Sequence, residues 1–123
     1  MKTEFTNITP NLTTNDIDHT LKFYCDILGF TLIKKIPEQG YADWILLKKD
    51  KVMLMFQKVN LHNARTGCNS LYIQVKNIRP FHDSLEDKVE IVSELEHTFY
   101  DTIEFSILDN NGYLITFAEF VEK

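Results

Sequence analysis

The sequence of 123 residues is poor in the residues that mark specialised classes of protein, with two Cys, four Gly and three Pro. So few Gly and Pro residues exclude collagen-like and low-complexity chains. Cys25 and Cys68 are too few and too widely spaced for a disulfide framework or a zinc knuckle. No apolar run approaches the roughly 20 residues of a membrane helix, and residues 1–5 lack the apolar stretch of a signal peptide. We therefore predict a cytoplasmic protein with reduced thiols and no membrane partner.

An excess of basic residues is also missing. The formal net charge is −5 and the pI is about 5.3. Residues 1–60 carry eight Lys or Arg and seven Asp or Glu, whereas residues 61–123 carry five and eleven. Because an acidic chain is a poor match for a phosphate backbone, we predict no nucleic-acid partner. The acidic second half favours a cationic ligand, although an ordinary solvated acidic surface is the alternative.

The sequence is rich enough in large apolar groups to build one core. Hydrophobic residues make up 44% of the chain, and nine Phe and five Tyr are among them. A chain of this length has room for a single domain, which we place at residues 1–123.

Hydrophobic periodicity predicts one strand, one helix and three strands in the first half. Residues 5–14 alternate with period two, which indicates a strand. A helix follows after Asn15 or Asp16 as its cap, and Gly29 falls just past its end. Three strands follow, at residues 31–36, 43–47 and 52–57.

The second half repeats this order. A strand at 71–75, a helix capped by Asn77, and strands at 89–94, 102–108 and 114–120 are predicted, with a hairpin turn at residues 109–112. Superposing Asp16 on Asn77 places Leu12 on Ile73 and Thr9 on Ser70. The chain is therefore predicted to contain two βαβββ modules, at about 5–60 and 68–121.

Several motifs resemble one known superfamily. Asp16-Ile17, Phe23-Tyr24 and Leu28-Gly29-Phe30 resemble the D-L … F-Y … L-G-F signature of the glyoxalase, bleomycin-resistance and extradiol-dioxygenase superfamily. Residues 44–47 and 71–75 resemble later blocks, and residues 104–113 resemble the F … D-P-x-G-Y block, with Asn110 in place of Pro. The resemblance spans nearly the whole chain. It implies an α+β fold whose two modules form curved mixed sheets around a cavity, and it implies a homodimer.

The resemblance also implies four positions for metal ligands, and none of them holds His or Glu. The positions are Thr9, Ser70, Thr116 and a residue of the strand 52–57, which is Met55 or, less well, Met53. Hydroxyls and thioethers are poor ligands for the divalent ions of this chemistry. We therefore predict no metal, no cofactor and no catalytic residue.

The four histidines show no spacing typical of a metal site. His19 and His82 are predicted at the surface or near helix caps, and His62 in the connecting loop. His97, with Phe99 and Tyr100, is predicted to border a cavity. Cys25 is predicted to pack, and Cys68 to lie in a loop or at a strand start.

Strand alternation divides the side chains between two faces of each sheet. Ile8 and Leu12, and likewise Leu71, Ile73 and Val75, are predicted to pack against the helices. The opposite face is predicted to bind a ligand through Thr9, Asn11, Trp44, Leu46, Met53, Met55, Gln57, Ser70, Tyr72, Gln74, Glu104, Ser106 and Thr116, with Thr13 and Leu114 beside them.

This mixture of aromatic, thioether and small polar groups suits an organic ligand. The alternative is that Leu46, Met53 and Met55 are closed core. A buried Glu104 would need a partner or a raised pKa, which would mark a functional position.

The resemblance to the bleomycin-resistance branch implies a metal-independent protein that sequesters a cationic or aromatic organic molecule, with antibiotic resistance as the role. The alternative is a metal-dependent lyase, isomerase or dioxygenase with a non-standard metal site. A third hypothesis is an interaction module with an obstructed cavity.

Overall fold

The computed structural model describes residues 1–60 and 70–122. The chain divides into two compact units, Met1–Ala64 and Arg65–Lys123. The predictions for His62 and Cys68 lie outside the described residues.

The first unit, which we call unit 1, contains a four-stranded sheet and one helical segment. Its elements are β1 (Asn11–Thr14), α1 (Ile17–Leu21), a π-helical turn (Lys22–Ile27), β2 (Thr31–Ile36), β3 (Trp44–Lys49) and β4 (Val52–Lys58). The strand order is β1-β4-β3-β2, with β1 parallel to β4 and the other pairs antiparallel. The sheet is therefore mixed.

The second unit, unit 2, has the same element order. Its elements are β5 (Ser70–Gln74), α2 (Ile78–Leu85), β6 (Glu90–His97), β7 (Thr102–Leu108) and β8 (Leu114–Phe120). The strand order is β5-β8-β7-β6, and β5 is parallel to β8. The predicted α+β architecture of two repeated modules is confirmed.

The register of the parallel strands repeats as well. Leu12 is paired with Phe56 in unit 1, and Ile73 is paired with Phe117 in unit 2. These pairs correspond under the superposition of Asp16 on Asn77, which confirms the internal repeat.

Aromatic side chains form the core between helix and sheet in each unit. In unit 1 the buried Tyr24 ring lies 5.0 Å from the ring of Phe56 and 5.7 Å from that of Phe30. In unit 2 the Phe105 ring lies 5.3 Å from Phe117 and 6.0 Å from Phe81 of α2. Burial of such rings is the main source of stability in a domain of this size.

Several local predictions are confirmed. Asp16 caps α1, because its Oδ1 accepts a hydrogen bond from the His19 backbone N–H at 3.0 Å. Gly29 has φ +87°, a conformation that glycine adopts without a steric penalty. The turn between β7 and β8 contains Gly112 with φ 86°, and the Asp109 side chain accepts from the backbone of Asn111 and Tyr113.

Two predictions at the starts of the modules are wrong. The first strand begins at Asn11 rather than near residue 5, and Ile8 is 88% exposed instead of packing on the helix. Pro10 lacks a backbone N–H, but its carbonyl accepts a hydrogen bond from Met55. The side chain of Asn77 does not cap α2, since Asn77 adopts a left-handed conformation with φ 59°. Glu119 replaces it by accepting from the backbone N–H groups of Asn77 and Ile78 at 3.1 and 3.0 Å.

Candidate functional site: the open faces of the two sheets

One face of the unit 1 sheet is covered by the helical segment and the other, which we call its open face, is not part of that core. Leu12, Ile45 and Phe56 belong to the covered face and are at most 3% exposed. Directly paired residues point to the same side of a sheet, and the pairs Asn11–Met55, Leu46–Met55 and Trp44–Gln57 place their members on the open face. Met53 follows by alternation along β4. The structure thus brings six predicted residues of this unit onto one surface: Asn11, Trp44, Leu46, Met53, Met55 and Gln57.

The open face of unit 1 is partly accessible rather than enclosed. Trp44, Leu46, Met53 and Met55 are all half-buried, whereas their neighbours on the covered face are buried. The alternative in which Leu46 and the two methionines form closed core is therefore not what unit 1 shows.

Thr9 precedes β1 and is half-buried. Because regular pairing of the first strand starts at Asn11, the register does not assign Thr9 to a face of the sheet. Thr13 lies on the open face, paired with Gln57.

Unit 2 has an equivalent open face. The pairs Tyr72–Thr116, Ser106–Thr116 and Ser70–Leu114 place their members on the side opposite Phe105 and Phe117. Gln74 and Glu104 lie there too, each paired with Ala118. The Ser106 and Thr116 hydroxyls are 2.7 Å apart and hydrogen-bonded. All six predicted residues of unit 2 therefore share one surface.

Glu104 accepts hydrogen bonds from three hydroxyl groups on this surface. Its Oε2 accepts from the Tyr72 hydroxyl at 2.5 Å and from the Thr102 hydroxyl at 2.8 Å. The Tyr100 hydroxyl lies 3.1 Å from both carboxylate oxygens. We call Glu104, Tyr72, Tyr100 and Thr102 the Glu104 cluster.

The hydrogen bonds determine the charge state of the cluster. Burial alone would raise the pKa of Glu104, but the hydrogen bonds from Tyr72, Thr102 and Tyr100 outweigh it and lower that pKa. The hydrogen bond to Glu104 raises the pKa of Tyr72 to about 12. Burial and the same carboxylate raise the pKa of Tyr100. At neutral pH the cluster is an ionised carboxylate with protonated donors, so of the two alternatives stated for Glu104, a partner or a raised pKa, the structure shows the partner.

Sequence reasoning found Glu104 and Tyr72 but missed Thr102. The signal for Thr102 was present, since it lies two residues before Glu104 on β7 and so points to the same side. Tyr100 precedes β7, where strand alternation gives no direction.

The four family metal positions do not fit a metal ion. Thr9, Met55, Ser70 and Thr116 offer hydroxyl and thioether groups, and the Thr116 hydroxyl is already paired with Ser106. A divalent site needs several imidazole, thiolate or carboxylate ligands. No metal-dependent step is assigned to these residues.

His82 lies in the last turn of α2, near the helix end as one of its two predicted positions had it, but it is buried and not at the surface. It is 5% exposed, and its ring lies edge-on 4.9 Å from the ring of Phe105. Its Nδ1 is 3.1 Å from Asp83 Oδ1, and its Nε2 is 3.5 Å from Glu94 Oε1. Burial would lower the pKa of His82, but Asp83, Glu94 and Glu86 together raise it.

In residues 1–60 and 70–122, His82, Asp83 and Glu86 are the group of potential metal ligands that lies close together. Phe105 contacts His82 from the covered face of the unit 2 sheet, whereas Glu104 next to it points the other way. This group therefore does not supply ligands to the open face.

Two further surfaces are an exposed aromatic pair in unit 2 and a shallow depression in unit 1. Phe99 is 96% exposed and its ring lies edge-on against that of Tyr100, and His97 is also exposed. Unit 1 also has a shallow depression of about 320 Å³, lined by Gly29, Thr31, Ile33, Lys48, Lys49 and Asp50. It includes none of the predicted site residues.

The family model of the Glyoxalase/Bleomycin resistance protein/Dioxygenase superfamily matches residues 6–117 of the chain. The chain belongs to this superfamily. No curated protein matches the chain in sequence.

Solved structures of the same fold agree with this assignment. TioX from a Micromonospora species is 16% identical, with a TM-score of 0.81 over 95% of this chain and 100% of that one. A bleomycin resistance determinant encoded on the transposon Tn5 is 21% identical, with a TM-score of 0.73 over 94% and 98%. A glyoxalase-related enzyme from Clostridium phytofermentans is 18% identical, with a TM-score of 0.77 over 97% and 98%. At these identities the likeness shows the fold.

In the described ranges, no helix has the length and apolar character required to cross a membrane.

Proposed function

We propose that the protein binds and sequesters a small organic molecule without the help of a metal ion. The observation that carries this proposal is the chemistry of the open faces. The four family metal positions hold Thr, Met, Ser and Thr, whereas Trp44, Met53 and Met55 leave apolar surface accessible beside the polar Asn11 and Gln57.

Such a surface suits binding better than catalysis. Half-buried aromatic and thioether groups give contact area to a planar ligand, and a few amides and hydroxyls orient it. Among the solved relatives, the determinant from Tn5 is named for bleomycin resistance. A role in resistance, by sequestration of a toxic compound in the cytoplasm, is the corresponding proposal for this chain.

The chain has a single Trp, at position 44, so its fluorescence reports on the open face of unit 1. We would screen the purified full chain against a library of metabolites and antibiotics, with bleomycin included, and follow quenching of Trp44. Binding by at least one compound, confirmed by calorimetry and thermal stabilisation, is the expected result. A library that gives neither quenching nor stabilisation contradicts the proposal.

Elemental analysis of protein purified without chelator separates this function from the alternative of a metal-dependent lyase, isomerase or dioxygenase. We expect no stoichiometric Zn, Ni, Mn or Fe. A stoichiometric metal whose removal abolishes ligand binding would establish the alternative.

Oligomerisation is part of the proposal, because dimerisation is implied by the family resemblance. Light scattering at micromolar concentration should give the mass of a homodimer. A particle of 14.4 kDa, the mass of one chain, would contradict this part of the proposal alone.

A further inference from the structure

The Glu104 cluster has features that unit 2 does not need for folding. Tyr72 and Tyr100 are 55% and 52% exposed, so water could satisfy their hydroxyls. A hydrogen bond that replaces one to water adds little stability. Nevertheless, β5, β7 and the segment before β7 all direct a hydroxyl to the same carboxylate.

The arrangement holds a negative charge in a fixed position, between the buried Ala118 and Thr102 and the half-exposed Tyr72 and Tyr100. Ala118 lies between β5 and β7 on the same face, and its short side chain leaves room for Tyr72 to reach across β8. Oε2 accepts from Tyr72, Thr102 and Tyr100, whereas from residues 1–60 and 70–122 Oε1 accepts only the bond that it shares from Tyr100. A carboxylate oxygen offers two lone pairs, so Oε1 retains capacity for an additional donor.

The surroundings are suited to a positive charge. Two half-exposed tyrosines are anchored to the carboxylate through their hydroxyls, and aromatic rings attract cations within about 6 Å of their faces. On β6, Glu96 is paired directly with Glu104 and adds to the negative potential. Residues 70–122 contain three Lys or Arg and eleven Asp or Glu.

The geometry points to Glu104 as the recognition point for an organic cation, of the amidinium, guanidinium or ammonium class, held between the Tyr72 and Tyr100 side chains. This inference rests on the proposed function and specifies the ligand class for the open face of unit 2. An amidinium N–H donates a charge-assisted hydrogen bond to Oε1, the oxygen with remaining acceptor capacity, and side chains that are already fixed lose little conformational entropy on binding.

The test uses benzamidinium as the probe and benzamide as a neutral compound of the same shape. Each is titrated into the ¹⁵N-labelled full chain, and dissociation constants are taken from amide chemical shifts. We expect benzamidinium to bind at least tenfold more tightly than benzamide, with shifts centred on β5 and β7. Equal affinities, or no benzamidinium binding up to 20 mM, overturn the inference.

Glu104→Gln removes the charge and retains an acceptor oxygen, and it should weaken benzamidinium binding at least tenfold. Glu96→Gln is the matched control, since it removes an equal charge from the neighbouring position of β6, and it should change the affinity less than twofold. Equal losses in the two variants would show general attraction to an acidic surface and would contradict a specific site. Thermal unfolding of both variants verifies that they are folded.

Tyr72→Phe tests the positioning role of the hydroxyl. It keeps the ring, so benzamide binding should be unchanged, while benzamidinium binding should weaken severalfold and the pKa of Glu104, measured by ¹³C NMR, should rise. An unchanged Glu104 pKa contradicts this role.

If library compounds quench Trp44 but Glu104→Gln affects no cationic compound, the inference fails and the proposed function stands. If no compound binds, the proposed function fails with it.

Discussion

The two sheets share one strand order and one register, yet their open faces have different chemistry. In unit 1, Lys34 and Lys48 pair with Leu46 and Met53, so apolar side chains are bordered by cations. In unit 2, Glu104 pairs with Glu96. Met55 and Thr116 occupy equivalent positions, and the one is a thioether on an apolar surface while the other is a hydroxyl in a polar one. The repeated backbone therefore leaves each face free to acquire its own ligand chemistry.

The helices of the two units begin in different ways. Asp16 caps α1 from the adjacent position in the chain. In unit 2, Asn77 is left-handed and Glu119, on β8, accepts from the first backbone N–H groups. The same helix start is thus built from a local contact in one unit and from a long-range contact in the other.

The largest expected effects come from the aromatic cores. Phe56→Ala and Phe105→Ala should each lower the free energy of unfolding by about 3–5 kcal/mol, because each removes a buried ring and leaves a cavity. Urea denaturation followed by circular dichroism measures the loss. Phe99→Ala is the control, since Phe99 is 96% exposed and its removal should change stability by less than about 0.5 kcal/mol. A small loss for either core variant would contradict the described packing of that unit.

The next largest effect is expected for Trp44→Ala, because Trp44 lies on the open face of unit 1, where we propose that a ligand binds. Trp44→Ala should weaken binding of an aromatic ligand by roughly 1–3 kcal/mol, through lost contact area and stacking. It should disturb folding less than Phe56→Ala. Calorimetry gives the affinity, and Tyr41→Ala, at an exposed position of the same unit, is the control. If Trp44→Ala unfolds the protein, Trp44 belongs to the core and the assignment of the open face is wrong.

Two cap variants test the different starts of the two helices. Asp16→Ala should cost about 1 kcal/mol of stability, the usual effect of losing an N-cap acceptor. Glu119→Ala should lower the urea midpoint as well, and hydrogen exchange should become faster in α2 but not in β7. Faster exchange throughout unit 2 would mean that Glu119 has a wider structural role than capping.

A smaller effect is expected from pH at His82. Its pKa is raised in the folded protein above the ordinary 6.5, because Asp83, Glu86 and Glu94 favour the imidazolium. The stability from this charge is therefore fully present below pH 6.5 and is lost as the pH rises through the folded pKa. His82→Gln should abolish this dependence in urea unfolding. A wild-type protein that gains stability over the same pH rise would contradict the assigned ion pairs.

The smallest effect is expected for Thr116→Glu, which should not create a metal site. It places a carboxylate at one family metal position, but a single such ligand does not create a divalent site. We expect no metal by elemental analysis and weaker ligand binding, because an unpaired charge is added beside Ser106. Tight stoichiometric metal in this variant would show that Thr9, Met55 and Ser70 have been misjudged as non-ligands.

Much of the fold follows from patterns of short range. The strands Thr31–Ile36, Thr102–Leu108 and Leu114–Phe120 have the predicted bounds, because alternation is a local property of the chain. The cap of α2 and the burial of His82 could not be predicted in this way. Both depend on residues that are distant in sequence, Glu119 in the first case and Phe105 in the second.

The candidate site was likewise predictable only where it depends on local alternation. Alternation assigned Tyr72, Glu104 and Ser106 to one face, and the register of β5, β7 and β8 agrees. Alternation did not reveal that three hydroxyls converge on Glu104, since that depends on side-chain reach across β8 and on a segment before β7. Ligand binding by these residues stays a prediction.

One titration tests most directly whether the protein binds its ligand without a metal ion. The compound that quenches Trp44 most strongly would be titrated into the full chain before and after exhaustive dialysis against a chelator, with metal content measured on both samples. We expect the same dissociation constant in both titrations and no stoichiometric metal in either sample. A stoichiometric divalent ion in the first sample, together with loss of binding in the second, would contradict this expectation.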